Sequence, residues 1–428
     1  MKTYHEPAKD IPVAHSAAVV VAGGGPGGVC AAIASAREGA DTLLVERAAV
    51  LGGMATSCLM TSFNGFRNEK PPDKLQSVKG LPQEIVVELA MLHGISGKTA
   101  HGDFSSQLEA GEIPYAVGFD PEILKYLLFR MCRESGVKLL LHSDVCGSIV
   151  SDDTIRGIIV ENKSGRQAIE AKIVVDATGD GDVAARAGAT FSKPPSKDSH
   201  TMDMSLMYRV AGVHPDEFRD GKYVGVVVGN TMTGWGPGVA GLDGTNAADL
   251  TNAEVQTRSR IFDVVDQLHA HPGYEDCYLV QTADMLGVRE TRHIIGEYVL
   301  TEADAIEGRH FDDVVAISSN PVPSYYGKRL FFNHEGFHIP YRSLVPLKIE
   351  NLLIAGRCIS AEQVPFQSAR SMAPLMAISQ AAGTAAALCA KRGESPRKLN
   401  VPLLRKRLLD AGAELQREPK KKTAQDSA

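Results

Sequence analysis

The sequence predicts an α/β protein: a nucleotide-binding domain built on a parallel sheet from separated stretches of chain, with an inserted α+β domain. Three observations point there. A short apolar run, AAVVVA at 17–22, opens directly onto glycines; strand-like and helical runs alternate after it; and the same buried-strand pattern returns at NLLIAGR, 351–357. At 428 residues the chain exceeds the roughly 250–300 at which single cores stop growing, so two domains are expected.

The first apolar run is continuous rather than alternating, as in a strand covered on both faces. From Val29 to Glu38 the apolar and alanine positions recur at helical spacing, Gly39 supplies a stop, and TLLVE at 42–46 reads as the next strand. That is one βαβ unit. Asp120-Pro121 marks a second helix start, an acceptor before a proline at the first helical position, running to about Glu134 before Gly136. VKLLLHSDV, GSIVSDD, IRGIIVEN and AIEAKIVVDAT then alternate β-rich runs with turn signals, as in an antiparallel meander that rejoins the main sheet. Ser371–Ala390 is charge-free and long enough to span a bilayer, but Pro374, Gln380 and Gly383 interrupt it and its alanines favour packing inside protein. It reads as a buried helix.

Gly23, Gly25 and Gly28 form G-x-G-x-x-G between the first strand and its helix, around Pro26 and Gly27. The first permits a tight turn, the second lets a pyrophosphate approach the backbone, and the third lets helix and strand pack closely. The helix N-terminus then offers N–H groups and the positive end of its dipole. Glu46, ending the second strand, can accept hydrogen bonds from ribose hydroxyls. A Rossmann-type dinucleotide site is therefore expected. A second formal match, Gly236 to Gly241, lacks a flanking strand and helix signal and reads as a loop.

The segments beyond this unit carry a resemblance. ERAAVLGGMAT at 46–56 resembles the stretch of glutathione-reductase-type flavoproteins in which an acid, a spacer and a Gly-Gly pair run alongside FAD; VVDATGDGDVAARAGA at 174–189 resembles their returning strand. NLLIAGRCIS at 351–360 and SARSMAPLMAISQAAGTAAA at 368–387 resemble the last FAD-binding strand and helix, and LGVRETRHIIGEYVLTEAD and HIPYRSLVP add to the match. Together they resemble the FAD-dependent oxidoreductases, relatives of the fumarate reductase flavoproteins, over nearly the whole chain. Segments 61–114 and 192–345 lack the strand-and-helix regularity of the rest, carry most of the histidines together with prolines and arginines, and read as a substrate or cap domain; the polar end at 416–428, with Lys420–Lys422, reads as a disordered tail. The resemblance implies a glutathione-reductase-like FAD-binding domain from 1–60, 115–191 and 346–415. It implies FAD contacts from Arg47, Gly52, Gly53, Met54, Ala55, Thr56, Val145, Ala177, Thr178, Gly179, Asp182, Gly356 and Arg357. Met372, Ala373 and Leu375 open the last helix, whose dipole would face the flavin pyrimidine. Unlike flavin disulfide reductases, the chain has no close cysteine pair after Gly53; Cys58 stands alone and reads as a buried thiol.

Arginines and histidines near the expected ring are the candidate substrate groups. Arg289 and Arg292 share a face if their segment is helical, beside Glu290 and His293. His338 is the expected proton-transfer group, with Arg289, Arg342 and Arg370 orienting an anionic or polyhydroxyl substrate. No metal site is expected, since His334/His338 and His269/His271 lack a third ligand. A G-x-S-x-G elbow and a Walker A loop are absent. A net charge of -6 argues against nucleic acid, scattered cysteines fit a cytoplasmic protein, and no apolar signal region begins the chain. The expected function is hydride exchange between FAD and a small polar metabolite, a sugar derivative or a hydroxy or unsaturated acid. An FAD-carrying electron-transfer subunit and an NAD dehydrogenase remain alternatives; no membrane partner is expected, and a homo-oligomer stays open.

Overall fold

The computed structural model describes residues 2–70, 75–193, 203–218, 224–325 and 327–416. Its main sheet has the order Lys138–Leu140, Thr42–Val45, Val13–Ala22, Gly165–Asp176, with Leu352–Ile354 added beside the end of the last. All these neighbours run parallel. Covered on both faces, they need no alternation, and Val19–Ala22, Leu44 and Val45 are almost wholly removed from solvent. Gly165–Asp176 is long enough for two tasks. Its first half pairs antiparallel with Thr154–Asn162, which pairs in turn with Asp144–Ser151; its second half joins the parallel core. The last three of the β-rich runs thus form the expected antiparallel meander, whereas the first, Lys138–Leu140, joins the parallel sheet beside Thr42–Val45 instead.

Two helices cross on one face of this sheet. Pro26–Arg37 begins at its proline, three residues before the apolar periodicity, because Gly27 and Gly28 are held helical by packing rather than by propensity. Met372–Arg392 lies against it. By length and composition this helix could cross a membrane, yet 89% of its most apolar window is buried inside the protein. Gly383 marks the crossing, where an added Cβ would sit 2.0 Å from the Ala31 carbonyl. The Asp120 side chain caps Pro121–Glu134 by accepting from the amides of Glu122 and Ile123.

A second sheet, of antiparallel strands in the order Gly225–Val228, Thr231–Val239, Met204–Ala211, Tyr278–Thr282, has its own core around Leu206, Tyr208 and Met232. Two expectations fail here. The Gly236 segment is strand rather than loop, since Ser205↔Gly238 and Tyr208↔Gly234 pairing supplies the order its own propensity lacks. The stretch holding Arg289 and Arg292 is an irregular loop rather than a helix, leading into the short strand His293–Ile294 and tied by contacts across the chain. Residues 417–428, including Lys420–Lys422, lie outside the described residues.

Candidate active site

Four neighbouring strands of the parallel core end together, and the ends are stitched: the Gly23 amide donates to Val45, Ala177 to Ala22 and Ala355 to Asp176, each at 2.8 Å. Ligands of open parallel sheets bind at this carboxyl edge. A cavity of about 870 Å³ opens there, lined by the four strand ends, by the opening of Met372–Arg392 and by segments of the second sheet, including Trp235.

The glycine turn explains itself in atoms. Gly23 has φ +104°, and a Cβ on it would lie 2.4 Å from the Ala177 carbonyl; at Gly28 it would lie 1.8 Å from the Gly23 carbonyl. Gly28 is thus a packing residue, outside the cavity lining. Gly25 has nothing within 4 Å of the corresponding position and, with Gly23, Pro26 and Gly27, lines the cavity. The helix beginning there has no acidic residue in its first turn and no side-chain cap, so its N–H groups and dipole are directed to the cavity. Glu46, nearly buried, accepts from the amides of Gly24 (2.5 Å) and Ala48 (2.8 Å) and lines the same cavity with Arg47.

The Gly-Gly pair braces this turn. The Gly52 amide donates to the Gly24 carbonyl at 2.8 Å, Gly53 packs on Gly25, and Gly53 and Met54 reach the cavity. Gly52, Ala55 and Thr56 do not line it; the Thr56 hydroxyl closes the turn onto the Leu51 carbonyl at 2.7 Å. Ala177, Thr178, Gly179 and Asp182 line the cavity on the returning strand. Beneath them fully buried Asp176 accepts from the Thr178 amide and hydroxyl and from the Ala184 amide. Its carboxyl is raised above the usual range by burial, which those three donors only partly offset. Gly356 and Arg357 follow the last strand into the cavity, Arg357 paired with Asp180. Asp182 is occupied by Arg186 and Arg292, each at 3.1 Å. Val145 does not reach the cavity: it sits in the Asp144–Ser151 strand opposite Val160. Ala373 is turned into the core, whereas Met372 and Leu375 line the cavity.

Arg289 and Arg370 both line the cavity. Arg289 donates to the Asp203 carbonyl, and burial lowers its pKa. Burial, followed by the neighbouring Arg289 charge, lowers Arg370 to about 10. The other two expected substrate residues lie elsewhere. Arg342 is drawn to Asp313 (Nε to Oδ2 2.9 Å), and His338 is buried in Phe337–Pro340, its Nδ1 accepting from the Phe311 amide at 3.1 Å beside the His310 ring. The His338 and Arg342 assignments are therefore corrected: a carboxylate holds one and strand packing holds the other. Cys58 lines the cavity while donating to the Leu286 carbonyl; burial pushes its thiol up to about 12, so it is unreactive at neutral pH.

A polar cluster unanticipated in the sequence occupies the cavity wall near the start of Met372–Arg392. Gly65 and Asn320 meet beside Pro374, in that helix's first turn. Asn64, His101, Tyr115, Asn320 and Arg329 line the cavity. The Tyr115 hydroxyl donates to Asn320 Oδ1 at 2.9 Å, and Arg329 pairs with Glu69. Burial acts to raise the Glu69 carboxyl, but His101 and Arg329 outweigh it and leave it lowered. Its members come from five separate stretches with no common spacing; only the histidine and arginine content of 61–114 and 192–345 hinted at it.

Comparison with known proteins fits this geometry. Residues 18–233 and 219–408 match the family model described as FAD dependent oxidoreductase. Digeranylgeranylglycerophospholipid reductase 2 of Methanococcoides burtonii is 25% identical over 200 residues, 46% of each chain. The corresponding reductase of Methanocaldococcus jannaschii is 28% identical over 179 residues, 41% of this chain and 42% of that one. The chain thus spans about half the length of the curated relatives it matches. The myxobacterial chondrochloren halogenase CndH superposes with a TM-score of 0.50 at 13% identity, over 94% of this chain and 84% of that one, a likeness of fold.

Proposed function

The chain belongs to the FAD dependent oxidoreductase family, and on that premise we propose that it exchanges a hydride between FAD and a small anionic metabolite, a hydroxy or unsaturated acid. The cavity suits the cofactor: it is open at Gly25, tight at Gly23 and Gly28, and faced by two helix N-termini without first-turn acids. Gly23–Gly27 would hold the pyrophosphate, Glu46 the ribose, and the Met372 turn the flavin pyrimidine. When bound, FAD supplies the two-electron chemistry.

The observation that carries the substrate class is the pair of guanidinium groups, Arg289 and Arg370, at the cavity wall that leads into Met372–Arg392. They would bind and orient a carboxylate, with Asn320 and Tyr115 offering polar contacts to the rest of the molecule. We take 61–114 and 192–345 to be the main substrate-facing region because Arg289 and Asn320 lie in it, with Tyr115 and Arg370 joining them from the FAD-binding segments. The names of the curated relatives suggest a second reading, reduction of a prenyl-chain lipid, which the charge and polarity of this wall disfavour.

The test is an anaerobic flavin-bleaching screen of the FAD-loaded protein with hydroxy acids, polyols and sugars, and the converse reoxidation of reduced protein by unsaturated acids and by geranylgeranyl lipid. Turnover of an acid supports the proposal. Reoxidation by the lipid, with none of the acids reacting, overturns it.

A further inference from the structure

The surroundings of His101, in the polar cluster of the cavity wall, are those of a proton acceptor. The imidazole lines the cavity, half-buried, its ring edge-on to Tyr115 with centroids 5.3 Å apart. Its Nε2 lies 3.0 Å from the Asn64 Nδ2, and the Asn64 Oδ1 accepts the Ser62 hydroxyl at 2.6 Å. So placed, an amide N–H points at Nε2, and the acceptor-only carboxylate on the other side of the ring favours the ring proton on Nδ1, leaving Nε2 as the acceptor. On that side lies the Glu69 carboxylate, 3.9 Å from Nδ1 and held in turn by Arg329. Ring orientation, tautomer and a compensating negative charge are all supplied by neighbours, the arrangement a general base requires.

The geometry points to His101 as the residue that takes the substrate's hydroxyl proton, with Asn64 and Glu69 as its positioning residues. The inference rests on the hydride-exchange reading given above. In the oxidation direction a carbinol is converted to a carbonyl. The C–H bond breaks with its electron pair, which goes to oxidised FAD as hydride; the O–H bond breaks and its proton goes to Nε2; the oxygen lone pair becomes the second C–O bond. To reach Nε2 the substrate hydroxyl would displace the Asn64 amide, which now lies 3.0 Å from it, and take that amide's hydrogen bond on its own oxygen. Reduction runs the same proton back.

Two measurements test this, one of them independent of any substrate. In 15N-histidine NMR of the FAD-loaded protein at pH 8, with His101→Gln identifying the resonance by difference, His101 is expected as the Nδ1–H tautomer. Glu69→Gln is expected to move it toward Nε2–H. An Nε2–H tautomer in the parent protein overturns the inference. The second measurement is anaerobic flavin reduction by lactate, malate or gluconate, whichever reacts in the screen. His101→Gln should slow it by about 10²-fold or more, with FAD content and substrate Kd nearly unchanged. An unchanged rate overturns the inference. If no acid reacts, the substrate proposal falls by itself and the tautomer still decides the ring's role.

Discussion

Whether the glycine turn tolerates a methyl group depends on which glycine receives it. Gly28→Ala would drive a Cβ to 1.8 Å from the Gly23 carbonyl, so the folded state should lose at least about 1–3 kcal/mol, read as a lower thermal midpoint of apoprotein and holoprotein alike. Gly25→Ala meets no atom within 4 Å and should leave the apoprotein's midpoint unchanged. Its methyl would instead stand where the backbone receives the pyrophosphate, raising the FAD Kd by about tenfold, or about 1.4 kcal/mol; titration of apoprotein with FAD separates the two. Asp243 offers a pH test. Burial acts against its charge, but Lys193 and Thr245 hold its carboxyl at about 2 rather than 3.8. A depressed folded pKa stabilises above the unfolded value and loses that contribution as pH falls through the folded one. The midpoint advantage of the parent over Asp243→Asn should therefore be full above about pH 4 and vanish toward pH 2. The glycines and Glu46 were legible because their tasks are local, whereas Asp313 could not be foreseen as the partner that removes Arg342 from the site.

Elements were readable where their reason for forming lay within their own residues. Pro121–Glu134 carries its cap and its proline, and the parallel strands carry their continuous apolar runs, so these were placed closely. Thr231–Val239 contains glycines at alternate positions and becomes a strand only through its neighbours, as the irregular Arg289 segment is held by contacts to Asp180 and Asp203, distant in sequence. Met372–Arg392 is the instructive intermediate. Its composition announced burial, and Gly383 shows what the burial is for: helix axes brought close enough that the Ala31 carbonyl leaves no room for a methyl. Gly383→Ala should destabilise by about 1–3 kcal/mol and, by pushing the helix off its neighbour, weaken FAD retention too, measurable as a parallel fall in midpoint and flavin-to-protein absorbance ratio.

On the scale of the whole molecule, the cavity belongs to no single stretch. Its floor comes from residues near 23, 46, 177 and 356, its far wall from the second sheet and from loops around 64, 101 and 320. The floor was legible because each segment ends a strand of recognisable pattern. The loop cluster was not, because nothing in five unpatterned stretches states that they meet. A ligand contacting so many separated parts binds the native fold and not the unfolded chain. Stripping FAD should lower the thermal midpoint, and restoring it at a hundredfold excess over Kd should regain about 2.7 kcal/mol.

The chain's lone tryptophan, Trp235, borders the same cavity. Ultraviolet emission from the protein thus has one indole source, next to where a yellow chromophore that absorbs at its wavelengths would lodge. Loading should dim that glow and release should restore it, giving an optical signal of occupancy without any added label.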